Sequence, residues 1–106
     1  MEELLALSLS IVYTTVADRT QASIIAKQFV NNDMVLCTNI ITNVISFFKW
    51  HSNLKSEEEC IVIMKCFSKN SKQIIEMVEE IHPYEIPLIF SISVNETNAK
   101  YLSWIS

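Results

Sequence analysis

From Leu7 to Val16 the chain alternates, with Leu7, Leu9, Ile11 and Tyr13 falling on one side and Ser8, Ser10, Val12 and Thr14 on the other. That period of two predicts a strand. Asp18 follows as a helix cap, and Ala22, Ile25, Ala26, Phe29 and Val30 recur at three- and four-residue intervals, the stripe a helix lays against a sheet. The helix stops at Asn31–Asn32. Between Met34 and Trp50 the residues Val, Ile, Thr and Phe dominate without helical spacing, which predicts a long strand, bent or bulged near Asn43 and returned by a turn at His51 to Asn53. Glu59 to Phe67 reads as a third strand, with Cys60, Val62, Met64 and Cys66 on one side and Ile61, Ile63, Lys65 and Phe67 on the other. Ser71 caps a second helix whose Ile74, Ile75, Val78 and Ile81 share a face, and Pro83 cannot continue it. Pro87 to Val94 is the last strand, and Asn98 to Ile105 a short helix carrying Tyr101, Leu102, Trp104 and Ile105.

The order is βαββαβ with a short C-terminal helix, which predicts an α+β, ferredoxin-like sandwich forming a single domain over residues 1–106. Its helices cover one face of an antiparallel sheet, and in a lone chain the other face meets water. Here Ile61, Ile63, Phe67 and Ile89 are expected to make that face apolar beyond what a monomer usually exposes. One short terminal helix shields only part of it, so a symmetric homo-oligomer is expected.

Composition sharpens this picture. Half of the 106 residues are hydrophobic, enough for a core without staples, and Cys37, Cys60 and Cys66 form no CxxC pair, so they read as reduced, buried thiols. There is no glycine, which leaves the turns to Asn, Asp, Ser and His and excludes Gly-rich phosphate cradles. A net charge of −4, with Arg19 the only arginine and the lysines scattered, argues against a nucleic-acid partner. The opening "MEELLALSLS" lacks a positive start and a cleavage site, and no apolar run approaches the roughly 20 residues that span a bilayer. A cytoplasmic protein with no membrane partner is the expectation.

Candidate chemistry concentrates in "IHPYEIPLIFSISV", Ile81 to Val94. As structure, Pro83 and Pro87 bracket a rigid corner, Tyr84 plugs it, and His82 is expected to bond the last carbonyls of its helix. As chemistry, His82 with Tyr84 and Glu85 offers nitrogen and oxygen donors suited to a borderline divalent ion near a subunit cleft. Lys65 is the exception in an apolar strand and is a candidate anion contact at an intersubunit cleft. Trp50, Tyr101 and Trp104 read as packing residues whose polar tips reach that cleft. His51 reads as a turn residue, and Glu57, Glu58 and Glu59 as a solvated run.

The segments "IVYTTVADRTQASIIAKQFV", "CTNI", "SFFKW", the "EEE" run before "IVIMKC", the "HPYEIP" corner and the closing "YLSWI" together resemble the CutA divalent-cation-tolerance family from about Ile11 to Ile105. The resemblance implies a tight homotrimer with strands pairing across subunits, similar in architecture to the PII signalling proteins. It also implies a link to copper and other divalent metals, with no established enzymatic reaction. Members of the family that hold Cu(II) use a Cys in the first strand, the His of the corner and a Glu after its second proline; here these positions are Thr14, His82 and Leu88. Cu(II) or another divalent cation would therefore draw on His82 together with Tyr84, Glu85 or donors of a neighbouring chain. The family's Trp-x-Gly turn is altered to Trp50-His51-Ser52.

Three other functions set the contrast. A PII-like trimer sensing a small ligand would need no metal site. An acylphosphatase-like hydrolase would use Arg19 after the first strand, but "TTVADR" lacks the glycine its phosphate loop relies on. An RNA-recognition domain would stack bases on third-strand aromatics, where only Phe67 stands.

Overall fold

The structure, a computed structural model, describes residues 8–106. The chain runs β1 (Leu9–Val16), α1 (Arg19–Asn31), β2 (Cys37–Trp50), β3 (Asn53–Phe67), a single 3-10 turn (Ser68–Asn70), α2 (Ser71–Ile81), β4 (Ile89–Ser93) and α3 (Ala99–Ile105). The four strands form one antiparallel sheet in the order β2-β3-β1-β4. Each βαβ crossover thus skips one position, β3 filling the gap between β1 and β2 and β1 the gap between β3 and β4. This is the ferredoxin-like arrangement expected. The Leu7 at which the first strand was expected to begin lies outside the described residues.

Both ends of α1 are closed by side chains or backbone as its composition demands. Asp18 Oδ1 accepts the Gln21 amide at 2.9 Å, the expected N-cap. At the other end Asp33 takes a left-handed φ of 58°, its amide bonding Val30 O and that of Met34 bonding Phe29 O. That is a Schellman closure made by aspartate in place of glycine. Ser71 does not cap α2: it is the first helical residue, and its hydroxyl donates to Ser68 O at 2.9 Å within the 3-10 turn.

The core lies between the helices and one sheet face. Val12, Val16, Val62, Met64 and Cys66 meet Ala22, Ile25 and Phe29 of α1 and Ile74 and Val78 of α2, all buried. The helical stripes are narrower than their sequence spacing suggests, for Val30 and Ile81 are exposed at their edges. Ile89 is also corrected. It pairs with buried Thr14 and packs against the core, so β4 contributes Phe90 and Ile92 to the open face instead. There Tyr13 and Phe90 stack with centroids 4.7 Å apart. Ile61, Ile63 and Phe67 do lie on the open face, opposite Thr15, Tyr13 and Leu9.

The third strand begins six residues earlier than expected, at Asn53 rather than Glu59. β2 and β3 are joined by a two-residue turn, His51 and Ser52, with φ of 50° and 66°. Two successive left-handed residues match the type I′ turn, whose twist suits a hairpin and which usually recruits Asn and Gly. β1 ends at the pair Val16–Cys60, so from Glu59 outward the β2–β3 ribbon projects past the rest of the sheet. The bulge expected near Asn43 is present. Register shifts between Ile41 and Val44, and Asn43 has φ 61°.

Candidate functional site

The corner after α2 is built around His82. Its backbone turns extended, φ −67° and ψ 133°, because Pro83 cannot continue the helix. The imidazole is buried under the end of β1 rather than turned back to its helix. Nδ1 accepts the Tyr84 amide at 3.1 Å, which leaves the proton on Nε2. From there it donates to Thr15 O at 3.0 Å, with Thr14 Oγ1 also 3.0 Å away. Thr14 Oγ1 in turn donates to Leu88 O at 2.9 Å. The expected bonds to the last helix carbonyls are replaced by a clamp that ties the corner to β1. Burial drives the His82 pKa below its ordinary value, against the opposing pull of the Thr15 carbonyl and of Glu59.

Tyr84 carries the clamp across to the ribbon. Its hydroxyl donates to Glu59 Oε2 at 2.6 Å, a short charge-assisted bond. Burial alone would raise the Glu59 pKa, but the hydroxyls of Tyr84, Ser46 and Thr15 outweigh it and hold the carboxyl below its ordinary value. Burial and the same carboxylate push the Tyr84 phenol well up, so it stays a protonated donor.

Between corner and ribbon opens a cleft of about 630 Å³. Its ribbon side carries Ser46, Phe48 and Trp50 from β2 with Glu57 and Glu59 from β3. Tyr84, Glu85, Ile86 and Leu88 close it from the corner. Lys55, opposite Phe48 in register, stands in an adjoining hollow. The walls follow from strand phase: Ser46 pairs with Glu57 and Phe48 with Lys55, so these side chains share one face of the ribbon. Glu57 and Glu59 were read as a solvated run. The signal available was their phase, since they fall on the same side of β3 as Ile61 once the strand is extended to Asn53. Thr15 and Ser46 carried no such signal, for only tertiary contact brings them to the carboxylate.

The residues expected at an intersubunit cleft divide into two groups within one chain. Trp50 lies in the corner cleft. Lys65 and Tyr101 line a separate cavity of about 250 Å³ with Leu9, Ile11, Val94 and Thr97, near the start of β1. Trp104 packs loosely against Tyr101, with ring centroids 5.8 Å apart, and is 76% exposed.

The donor set His82, Tyr84 and Glu85 does not assemble as a metal site within one chain. Both imidazole nitrogens are already bonded, the Tyr84 phenol is donating, and Thr14 and Leu88 occupy the positions where a thiolate and a carboxylate would be needed. Among the described residues no three His, Cys, Asp or Glu side chains converge on a point that could hold an ion. No helix among them is long and apolar enough to cross a membrane.

Comparison with known proteins matches residues 10–106 to the family model described as CutA1 divalent ion tolerance protein. A CutA homolog of Xenopus laevis is 31% identical over 98 residues, which cover 92% of this chain and 65% of the frog protein. The divalent-cation tolerance protein CutA of Thermus thermophilus is 28% identical over 95 residues, covering 90% of this chain and 92% of its own length. Among solved structures, the CutA1 of Ehrlichia chaffeensis superposes with a TM-score of 0.87 at 28% identity, over 92% of this chain and 91% of that one.

Proposed function

The chain belongs to the CutA1 divalent ion tolerance family, and on that premise we propose that it serves divalent-cation tolerance as a homotrimer that senses a small ligand in its corner cleft, rather than by holding Cu(II) on His82. The observation that carries the assembly is the surface of the projecting ribbon, where Ile45, Phe47 and Leu54 are 63%, 69% and 71% exposed. Ile41 and Ile92 are exposed as well, on the open face, and large apolar side chains left in water in such numbers mark an interaction surface. Further copies packing on the ribbon and sheet would bury both. Static light scattering at micromolar concentration tests it: the expected mass is three times 12.2 kDa, and a particle of one chain mass sinks the assembly.

The preference for a ligand cleft over a metal centre rests on the commitment of both His82 nitrogens to the fold. Copper(II) favours several nitrogen and oxygen donors in a tetragonal set, and His82 could join one only by releasing the Tyr84 amide or Thr15 O. Calorimetric titration of metal-free protein with Cu(II) and Zn(II), beside His82→Ala, distinguishes the two. Tight binding of one ion per chain that vanishes in His82→Ala puts the metal on His82 and overturns the cleft reading.

A further inference from the structure

We propose that the corner cleft recognises an organic cation, a protonated amine or quaternary ammonium borne on a compact apolar body. This rests on the reading of the cleft as a ligand site and adds the chemistry of the ligand. Phe48, Trp50 and Tyr84 give the cleft aromatic walls, Ile86 and Leu88 an aliphatic one, and Glu57, Glu59 and Glu85 its charge. Glu59 is held in place by the 2.6 Å bond from the Tyr84 hydroxyl, so a carboxylate is fixed before any ligand arrives.

The alternatives fail on the same residues. A bare divalent ion needs several donors converging on one point, and no such set exists among the described residues. An anion would meet three carboxylates in a lining that holds no Lys or Arg of this chain, with Lys55 in the adjoining hollow. A neutral apolar molecule would strip water from an ionised Glu59 without replacing it. An ammonium with an apolar body answers each group: its charge faces the carboxylates and the aromatic rings, whose π faces attract cations, while its body covers Ile86 and Leu88. The volume of about 630 Å³ suits a small organic molecule.

The test uses three probes of matched shape, 2-phenylethylammonium, 2-phenylethanol and 3-phenylpropanoate, titrated at constant ionic strength. Fluorescence is read in a Trp104→Phe background, where Trp50 is the sole tryptophan. The expected result is saturable binding of the ammonium, at least tenfold weaker binding of the alcohol, and none of the carboxylate. Glu59→Gln and Glu57→Gln should each weaken the ammonium three- to tenfold. Glu57 is exposed on the ribbon, so its variant tests the charge without disturbing the fold. The alcohol binding as tightly as the ammonium overturns the cationic class while leaving a ligand cleft standing. No saturable response to any probe overturns both, and full ammonium affinity in both glutamine variants overturns the location. Light scattering on the same samples reports the assembly separately.

Discussion

Replacing His82 with alanine separates a clamp from a ligand. In the fold the imidazole is the partner of two backbone groups, Thr15 O at 3.0 Å and the Tyr84 amide at 3.1 Å. Removing it orphans both, and an unsatisfied buried group costs about 1–3 kcal/mol. Both bonds are only partly buried, which admits some water and holds each loss to the lower half of that range. The two losses sum to about 2–4 kcal/mol before any loss of ring packing. The assay is urea denaturation in the presence of a chelator and at fixed chain concentration, since assembly makes stability depend on concentration. With a slope of about 1.5 kcal/mol per M, the midpoint should fall by roughly 1.3–2.7 M. His82→Gln, which can still donate toward Thr15 O, should recover part of the loss. A chelated His82→Ala protein within about 0.5 kcal/mol of the parent would refute the clamp, because a residue used only for metal leaves the metal-free fold indifferent.

Acid should destabilise the fold in two steps with the same sign. Burial lowers the folded pKa of His82 below 6.5, so its contribution is complete above 6.5 and is lost as pH falls through the folded value. Burial opposes the shift at Glu59, but the surrounding hydroxyls prevail, so its contribution is complete above 4.5 and disappears at still lower pH. Denaturation midpoints across pH should show both steps, the upper one flattened in His82→Gln. Asp18→Ala removes the cap on α1 and should cost about 1 kcal/mol by thermal or chemical melting. Ser52→Gly relieves a left-handed φ of 66° and should not destabilise, with a gain of up to about 1 kcal/mol in the same assay. Ile63→Glu on the open face should give single chains by light scattering if that face is an interface, and unchanged mass would speak against it.

The order of elements was legible because local periodicity and caps specify it: Asp18, the β1 alternation and Pro83 stand where they were read. The start of β3 was not. Apart from Leu54, Asn53 to Glu58 is polar because those residues project beyond the sheet with no core on either side, so the period that marks a buried strand is missing. Ile89 was misplaced because it and Phe90 are adjacent apolar residues that fall on opposite faces of β4, and its pairing with Thr14 decides which way it points. At the site, His82 and its corner were visible in the sequence. Thr14, 68 residues away, was joined to His82 only through the family resemblance, whereas Thr15, 67 residues away, and Glu59, 25 residues from Tyr84, were not placed there, since no local signal links positions that tertiary packing brings together.

The projecting ribbon also sets an order of events. Its pairings, from Trp50–Asn53 out to Val44–Glu59, close short loops around one tight turn, and such hairpins zip in about 1–10 μs. Pairing β1 with β4 must instead bring Thr14 to Ile89 across most of the chain, a slow closure that waits on the two helices. A nascent chain therefore holds a finished, greasy finger before it owns a centre, and lesions at His51–Ser52 should retard folding more than they alter the final balance.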